Sequence, residues 1–482
     1  MAHSITQAQP PLEFIPPQFN PAVLQVAQWV LPFWLRSRTP VDRVEAQNVE
    51  RLVECFQQFQ SGKIRLMLAF RHPSTVDPFC LGRLLWQQLP QVARQQGVRL
   101  QQPTHVHFLY DRGIPLWAGE FSGWFFSKLG GVSIHRGKLD LLGLRTARNL
   151  FANGGFPMAA APEGATNGHN EIISPLEPGI SQLCFWCVDD LRKAKRSEQV
   201  VVLPVGLQYQ YIDPPWQALN QLIGRLEARS GLAVGGENVT LPAAIAQRLS
   251  KPQASLYPRL YRLGEHLLGE MEQFYHRFYG LKLSTDERQA GEEECDRAAE
   301  SDSPNQQGAA SPLAPRLAAL FEAALQVAES YFQVLPKGNF IDRCRRLEQA
   351  GWDRIYREDL KSDEALSPVA RGLADRVAEE AALRMWHMRL VETFVAVTGQ
   401  YVLEKPTADR FADTALLLWD TVTRIQAGTP LPRPRLGRQR AKLTVGAPIV
   451  VSERWESYRA NRRQAIDRLT QDLQVALESA IV

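Results

Sequence analysis

The chain has 482 residues, of which 45% are apolar, so it can build two or three packed domains and is not disordered overall. A formal net charge of +4 is too small to indicate a nucleic-acid-binding protein, although it suits attraction to an anionic membrane surface. The six cysteines form no paired framework and no secretory signal pattern precedes them, which favours a reducing, cytosolic setting.

An apolar stretch near the N terminus, Pro21 to Leu35, contains two tryptophans and is followed by Arg36 and Arg38. It is too short, and too often interrupted by polar residues, to span a membrane. Aromatic residues beside arginines are typical of a helix lying in a membrane interface. A helix docked on the protein's own core is an equally good interpretation. We assign residues 1–59 to N-terminal interfacial or docking helices, and expect a cytoplasmic protein peripheral on the inner face of a membrane.

The first strand is predicted at Lys63 to Phe70, because its apolar residues run almost unbroken. His72 lies in the turn after it, and Asp77 lies in the first turn of the helix that follows, with Ser74 or Thr75 as the expected N-cap. Catalytic groups of α/β proteins often occupy such turns.

The spacing of His72 and Asp77 allows two interpretations. If the carboxylate accepts from one imidazole nitrogen, the other nitrogen is free to take a proton. Alternatively, Asp77 is the acidic end of a Ser74-x-x-Asp77 capping arrangement without chemistry. Taken alone, the pair favours the capping arrangement, because with nine histidines a chance match in the chain is unsurprising.

Strands alternate with helices from residue 63 to 207, which predicts an α/β layer with a mostly parallel sheet flanked by helices. The further strands are predicted at 104–110, 130–136, 156–161 and 200–206. The strand at 156–161 leads into Pro162-Glu163-Gly164, a turn in which glycine permits close approach of a ligand.

Two short patterns are interpreted as packing. His105 and His107 place two imidazoles on one strand face, but no third ligand is evident. Cys184 and Cys187 form a single C-x-x-C within an apolar helical stretch. We therefore expect no metal site and no cofactor.

Residues 213–440 change character to long amphipathic helices, a large α-helical insertion that contains a disordered loop at about 284–311, rich in Asp, Glu, Ser and Gly. The helices are predicted at 216–229, 257–278, 315–334, 375–398 and 409–426. A strand returns at 443–451. Its apolar residues need a sheet, so we expect it to pair with the strand at 200–207, and residues 441–482 to complete the domain begun at 60–212.

Four blocks stand in a fixed order along the chain. They are His72-x4-Asp77, Gly130-x-Val-x-Ile-His-Arg136, Pro162-Glu163-Gly164 and Val202-Leu-Pro204-Val-Gly206. In this order and spacing they resemble the glycerolipid acyltransferase family, which includes the lysophosphatidate and glycerol-3-phosphate acyltransferases. The resemblance covers about 60–212 and 441–482, and says little about the helical insertion between them.

The resemblance implies that His72 is the general base for an acceptor hydroxyl and that Asp77 orients it. A hydroxyl needs a nearby base to attack a thioester carbonyl, which agrees with this assignment. No G-x-S-x-G elbow offers a serine nucleophile, so direct transfer is favoured over an acyl-enzyme. Arg71 departs from the family, which usually has Asn before the His.

For the acceptor site, the resemblance implies that Arg136 holds a phosphate and that Glu163 and Gly164 shape the site. Lys138 would supply a further point charge. The family usually continues Glu-Gly-Thr-Arg, whereas Thr166 stands here in place of the arginine. The site is therefore expected to be less cationic than usual, which leaves the acceptor open.

The implied function is transfer of a fatty acyl group from an acyl thioester, either acyl-CoA or acyl carrier protein, to a lysolipid or glycerophosphate in phospholipid biosynthesis. The activity would be 1-acylglycerol-3-phosphate acyltransferase-like, with the lipid at a membrane surface and no nucleic-acid partner. Two alternatives remain: a thioester or lipid hydrolase using the same His/Asp pair, and a non-catalytic lipid-binding scaffold.

Overall fold

A computed structural model describes residues 7–135, 140–164, 166, 168–235, 245, 247–281, 313–360, 366–394, 400–430 and 432–481. The chain divides into two compact units. The α/β unit contains Leu12–Asp213 and the residues from Gly437 onwards, and the helical unit contains Pro214–Leu436 and the N-terminal residues up to Pro11. The loop predicted at 284–311 lies outside the described residues.

The described strands of the α/β unit form one sheet in the order β1-β7-β6-β2-β5-β3-β4, with β8 also paired to β6. They are β1 (Val41–Gln47), β2 (Ile64–Phe70), β3 (His107–Asp111), β4 (Val132–Ile134), β5 (Met158–Ala160), β6 (Gln199–Tyr211), β7 (Gln439–Val445) and β8 (Ile449–Val450). Only the pairings of β6 with β7 and with β8 are antiparallel. The expectation of a mostly parallel sheet flanked by helices is thus confirmed.

The helices are numbered along the whole chain. They are α1 (Pro21–Arg38), α2 (Val49–Gln60), α3 (Asp77–Arg83), α4 (Leu89–Gln95), α5 (Ile114–Ala118), α6 (Glu120–Lys128), α7 (Leu141–Asn153), α8 (Gly179–Lys193), α9 (Trp216–Arg229), α10 (Lys251–Tyr279), α11 (Leu313–Phe332), α12 (Phe340–Ile355), α13 (Pro368–Phe394), α14 (Tyr401–Glu404), α15 (Ala408–Ile425), α16 (Trp455–Ala460) and α17 (Arg462–Glu478). A π-helical turn, Leu84–Gln88, joins α3 to α4.

Strand β2 lies at the centre of the α/β core, and all seven of its residues are buried. Alternate side chains point to opposite faces of a strand. Leu66 and Leu68 accordingly enter the core packed by α1, α2 and α3. Met67 and Ala69 enter the core packed by α7, α8 and α17. Burial on both faces explains the continuous apolar sequence of this strand.

The strand predicted at 443–451 does pair with β6, so that prediction is confirmed, but it is two strands rather than one. In β7, Val445 lies opposite Val205, and in β8, Ile449 lies opposite Val202. Pro448 between them has no N–H to donate to a ladder. The chain after Asp213 therefore returns to complete the sheet that it left.

The N-terminal region is not helical throughout, because residues 41–47 form β1, which pairs in parallel with β7. The sequence gives little sign of this strand. Its residues include Asp42, Arg43 and Glu45, and charged side chains are typical of the edge of a sheet. The assignment of 1–59 to helices alone was therefore wrong for this segment.

Helix α1 has two apolar faces. One face buries Leu24, Leu31 and Leu35 on the α/β core, whereas the rings of Trp29 and Phe33 are 73% and 76% exposed. The docked interpretation therefore describes the buried face, and the membrane-interface interpretation of the exposed face stays a prediction. Among the described helices, none combines the length and hydropathy needed to cross a membrane.

The helical unit contains the five helices predicted in it, the first at its predicted bounds and the other four with shifted ends, and further helices that were not predicted. The clearest of these is α12, in which polar and charged residues outnumber apolar ones. Its buried residues Cys344, Leu347, Gly351 and Ile355 lie on one narrow face, which is too sparse a pattern to stand out in the sequence.

Candidate active site

The candidate site lies at the carboxyl ends of two neighbouring parallel strands. β2 ends at Phe70 and β5 ends at Ala160, and the two strands are hydrogen-bonded to each other. Residues that follow parallel strands meet at the same edge of the sheet. This topology brings His72, from the turn after β2, next to Glu163, from the turn after β5.

His72 and Asp77 contact each other directly. His72 Nδ1 lies 2.9 Å from Asp77 Oδ2, with the carboxylate completely buried and the imidazole 21% exposed. The backbone N–H of Ser74 donates to the same oxygen at 2.8 Å. Asp77 therefore both orients the imidazole and braces the turn before α3.

The predicted helix cap was wrong. Helix α3 begins at Asp77 itself, with Val76 in the N-cap position and no side-chain cap. Ser74 instead stabilises the preceding turn, where its hydroxyl accepts from the N–H of Val76 at 3.3 Å. The turn is thus longer than expected, which lets the chain fold back so that His72 reaches Asp77.

The second oxygen of Asp77 accepts a hydrogen bond from the hydroxyl of Tyr209, a buried residue near the end of β6. Burial raises the pKa of Tyr209 well above its ordinary value, so the phenol keeps its proton and donates. The thiol of Cys80 lies 3.7 Å from the same hydroxyl. Asp77 is consequently held by Ser74, His72 and Tyr209.

This arrangement fixes the use of the two imidazole nitrogens. A carboxylate only accepts hydrogen bonds, so in the neutral imidazole of His72 the hydrogen lies on Nδ1 and the lone pair on Nε2. The hydroxyl of Thr166 lies 3.3 Å from Nε2. The partly exposed imidazole therefore holds Nε2, a nitrogen that can act as a base, beside the hydroxyl of Thr166.

Glu163 joins the two turns of the site. Its Oε1 accepts from the backbone N–H of His72 at 2.8 Å, and its Oε2 accepts from the N–H of Ser174 at 3.2 Å. Burial raises the pKa of Glu163, while the nearby Arg71 guanidinium and these two N–H groups oppose that rise. The side chain is only 4% exposed, so it acts on the backbone that carries His72.

Gly164 is required by the local geometry. Its φ of +73° is a conformation that side chains with a Cβ rarely adopt, and an added Cβ would lie 1.8 Å from Oε1 of Glu177. The glycine thus allows the turn that carries Glu163 to pass close to Glu177.

Among the residues that the structure describes, Arg71 is the largest fully buried side chain, and it directly precedes His72. Its Nη2 donates to the carbonyl oxygens of His169 at 2.7 Å and Ile172 at 2.6 Å, and its Nη1 donates to that of Leu207 at 3.3 Å. It also donates to the carbonyl of Asn170. This cation therefore ties the loop after β5 to β6.

Sequence reasoning missed the roles of Arg71 and Tyr209. An arginine directly after an unbroken apolar strand is a usable signal, because a buried guanidinium needs several acceptors. Tyr209 gives no such signal, because its contact with Asp77 depends on how far β6 extends past β2.

The two cations expected to hold phosphate, Arg136 and Lys138, lie outside the described residues. The strand that precedes them, β4, is parallel to β3 and ends at the same edge of the sheet as β2. It is three strand positions from β2. After the gap, Asp140 accepts from the N–H of His135 at 3.0 Å and pairs with Arg112.

The other singled-out residues lie in cores. His105 and His107 bind the carbonyl oxygens of Leu129 and Gly130 at 2.8 and 2.9 Å, and burial lowers the pKa of His105 to about 4. Cys184 and Cys187 are buried free thiols of α8. In the part of the chain that the structure describes, no cluster of His, Cys, Asp and Glu could hold a metal ion.

No protein-family model matches this chain, and no curated protein matches it either.

Proposed function

We propose that this protein is an O-acyltransferase that moves a fatty acyl group from an acyl thioester to the hydroxyl of a lysophospholipid or glycerophosphate. The observation that carries the proposal is the His72–Asp77 pair, held by Tyr209 and Glu163 at the carboxyl edge of a parallel sheet. The order of the four sequence blocks supports the choice of this chemistry over others.

In the proposed reaction the acceptor hydroxyl gives its proton to Nε2 of His72 while its oxygen attacks the thioester carbonyl. The carbon–sulfur bond breaks, and the leaving thiolate takes the proton from the imidazolium. Asp77, fully buried and held by Ser74 and Tyr209, stabilises that imidazolium without moving. General-base catalysis of this kind contributes about a hundredfold to ten-thousandfold.

The acceptor headgroup would be held by Arg136 and Lys138, which follow β4. An arginine can offer a phosphate two parallel hydrogen bonds, whereas a lysine offers a point charge. Thr166 stands near His72 and is uncharged, so the site has less positive charge than a two-arginine site. We accordingly propose an acceptor range that includes phosphate diesters as well as monoesters.

The test is to incubate the purified protein with acyl-CoA or acyl carrier protein donors and a panel of acceptors, and to identify the lipid products by mass spectrometry. The panel comprises glycerol-3-phosphate, lysophosphatidate, lysophosphatidylglycerol and monoacylglycerol. An acylated acceptor supports the proposal. Free fatty acid as the sole product would mean a hydrolase, and donor left intact with every acceptor would favour a lipid-binding scaffold.

Substitution of Thr166 distinguishes direct transfer from an acyl-enzyme, because its hydroxyl lies close enough to Nε2 of His72 to be activated as a nucleophile. Direct transfer needs no protein nucleophile, so Thr166→Ala is expected to keep kcat/KM within about fivefold of the wild type. The measurement is steady-state kinetics of Thr166→Ala beside Thr166→Ser. Loss of activity in the alanine variant with recovery in the serine variant would instead indicate a covalent acyl-threonine.

We also propose that the exposed face of α1 lies on the membrane that holds the acceptor. The ring of Trp34 packs on that of Phe79 with 4.4 Å between centroids, and Phe79 is two residues from Asp77. Trp34 thus connects α1 to the helix that carries Asp77; the exposed rings of Trp29 and Phe33 lie on the same helix, which ends with Arg36 and Arg38 in its last turn. Exposed aromatic rings next to cations suit the boundary between lipid headgroups and acyl chains.

Replacing both rings in a Trp29→Ser, Phe33→Ser variant is expected to weaken binding to anionic phospholipid vesicles at least tenfold, because burying each ring contributes on the order of 2 kcal/mol. Vesicle co-sedimentation measures this. Val475→Ser, which removes an exposed apolar side chain from α17, is the matched control and should bind as the wild type does. Equal binding by the double variant would exclude this face of α1 as the docking surface.

A further inference from the structure

Tyr209 shares a buried carboxylate with the catalytic imidazole. Its hydroxyl donates to Oδ1 of Asp77, whereas His72 and the N–H of Ser74 both use Oδ2. Tyr209 is 7% exposed and Asp77 is not exposed at all, so water does not compete for this contact. A hydrogen bond to a buried carboxylate stabilises its charged form and reduces its affinity for a further proton.

The backbone of Tyr209 is fixed independently of its hydroxyl. Its N–H donates to the side-chain oxygen of Asn170 at 2.6 Å, and the Asn170 amide donates back to its carbonyl. Arg71 binds the carbonyl of Leu207, two residues earlier on β6, and that of Asn170. The phenol is therefore placed by a rigid support and cannot follow Asp77 if that carboxylate moves.

We infer that Tyr209 is a positioning residue that holds Asp77 in place and sets how strongly the His72–Asp77 pair takes up a proton. This inference rests on the proposed role of His72 as a general base. Tyr209 touches neither the proposed acceptor nor the donor, because Asp77 stands between its hydroxyl and the imidazole. Its effect on the reaction passes through Asp77 alone.

Removing the phenol of Tyr209 is expected to raise the proton affinity of the His72–Asp77 pair. Without the phenol, Oδ1 of Asp77 loses its donor inside the protein, so the negative charge of the carboxylate is less well stabilised. The pair then binds a proton more readily, whichever partner carries it, and its apparent pKa rises. A base that must be neutral to act is therefore protonated, and inactive, up to a higher pH.

Other charges around the pair stay as they are when the phenol is removed. Among the described residues, the titratable and charged groups that face His72 and Asp77 from the surrounding elements are Glu163, Arg71, Cys80 and Tyr209. Burial raises the pKa of the Cys80 thiol, so it is neutral near pH 7. Glu163 and Arg71 keep their contacts in a variant that loses only one oxygen atom on β6.

The experiment compares wild type with Tyr209→Phe by NMR titration of the imidazoles, with the His72 signal assigned from its absence in His72→Gln. We expect the apparent pKa of His72 to be higher in Tyr209→Phe by roughly half a unit or more. The matched control is Tyr458→Phe, which removes a buried phenol that accepts from Gln182 at 3.1 Å on the opposite side of the core. It should leave the His72 titration unchanged.

In kinetics, Tyr209→Phe should lower kcat about 5- to 50-fold with little change in either KM, and should move the acid limb of kcat/KM to higher pH. Circular dichroism checks that the variant is folded. An unshifted His72 titration in the folded variant would overturn the inference. Because the titration needs no catalysis, this result is separate from the product assay: absence of acyl transfer would refute the proposed function, not the coupling of Tyr209 to His72.

Discussion

His72→Ala is expected to lower kcat for acyl transfer by about a hundredfold to ten-thousandfold while the protein stays folded. The imidazole is partly exposed; it bonds to Asp77 and to the hydroxyl of Thr166, and its ring meets that of Phe70 edge-on with 6.1 Å between centroids. Removing it therefore takes away the base with little loss of packing. Kinetics with saturating donor and acceptor measure the effect, and circular dichroism checks the fold.

His266→Ala is the matched control for this variant. His266 lies on α10 of the helical unit, where its ring bonds to the carbonyl oxygen of Ser230 at 2.8 Å. Its removal also costs one histidine and one hydrogen bond, but it should leave kcat unchanged. If His72→Ala kept more than about a tenth of the wild-type kcat, His72 would not be the base.

Arg71→Met is expected to lower the free energy of unfolding of the α/β unit by about 3 to 5 kcal/mol, the usual cost of removing one partner from a buried charged network. Methionine fills much of the volume but donates nothing. The carbonyl oxygens of His169, Ile172 and Leu207 would lose their donors, and buried Glu163 would lose the cation that favours its charge. Urea unfolding of the variant beside the wild type measures the loss.

Arg65→Met separates general destabilisation from damage to the site. Arg65 lies on β2 and is also buried, where it donates to the carbonyl oxygens of Phe151 and Gly154 at 2.7 Å each. It is seven residues before His72, towards the other end of the strand. We expect both variants to be less stable, but only Arg71→Met to lose kcat/KM per folded molecule. Equal activity losses would mean that Arg71 has no particular link to the turn that carries His72.

The part of the fold that could be predicted from the sequence is the part with strong local patterns. β2 is buried on both faces, so its apolar residues are continuous and its end marks the turn that carries His72. The break in pattern at Pro214 lies next to the boundary between the units. Likewise, the apolar strand predicted at 443–451 needs a sheet to bury its side chains, and β7 does pair with β6.

What the sequence could not predict depends on contacts between distant residues. β1 is a charged edge strand, stabilised by pairing with β7 almost four hundred residues later. Tyr209 reaches Asp77 only because β6 continues past Val205, the last residue of β6 paired with β2, and Tyr209 lies four residues further along the strand. In the sequence Arg71 is only an unexpected cation before His72. Its role depends on the loop at 169–172, whose carbonyl oxygens accept its hydrogen bonds in the folded protein.

If His72 activates the hydroxyl of a lipid acceptor, thiol release from acyl-CoA depends on that acceptor, and the most direct test measures free thiol with and without a lysolipid on vesicles. We predict that the wild-type protein releases thiol only when the lysolipid is present, and in proportion to the acylated lipid formed. Thiol release at the same rate without any acceptor would contradict the account and assign His72 and Asp77 to hydrolysis.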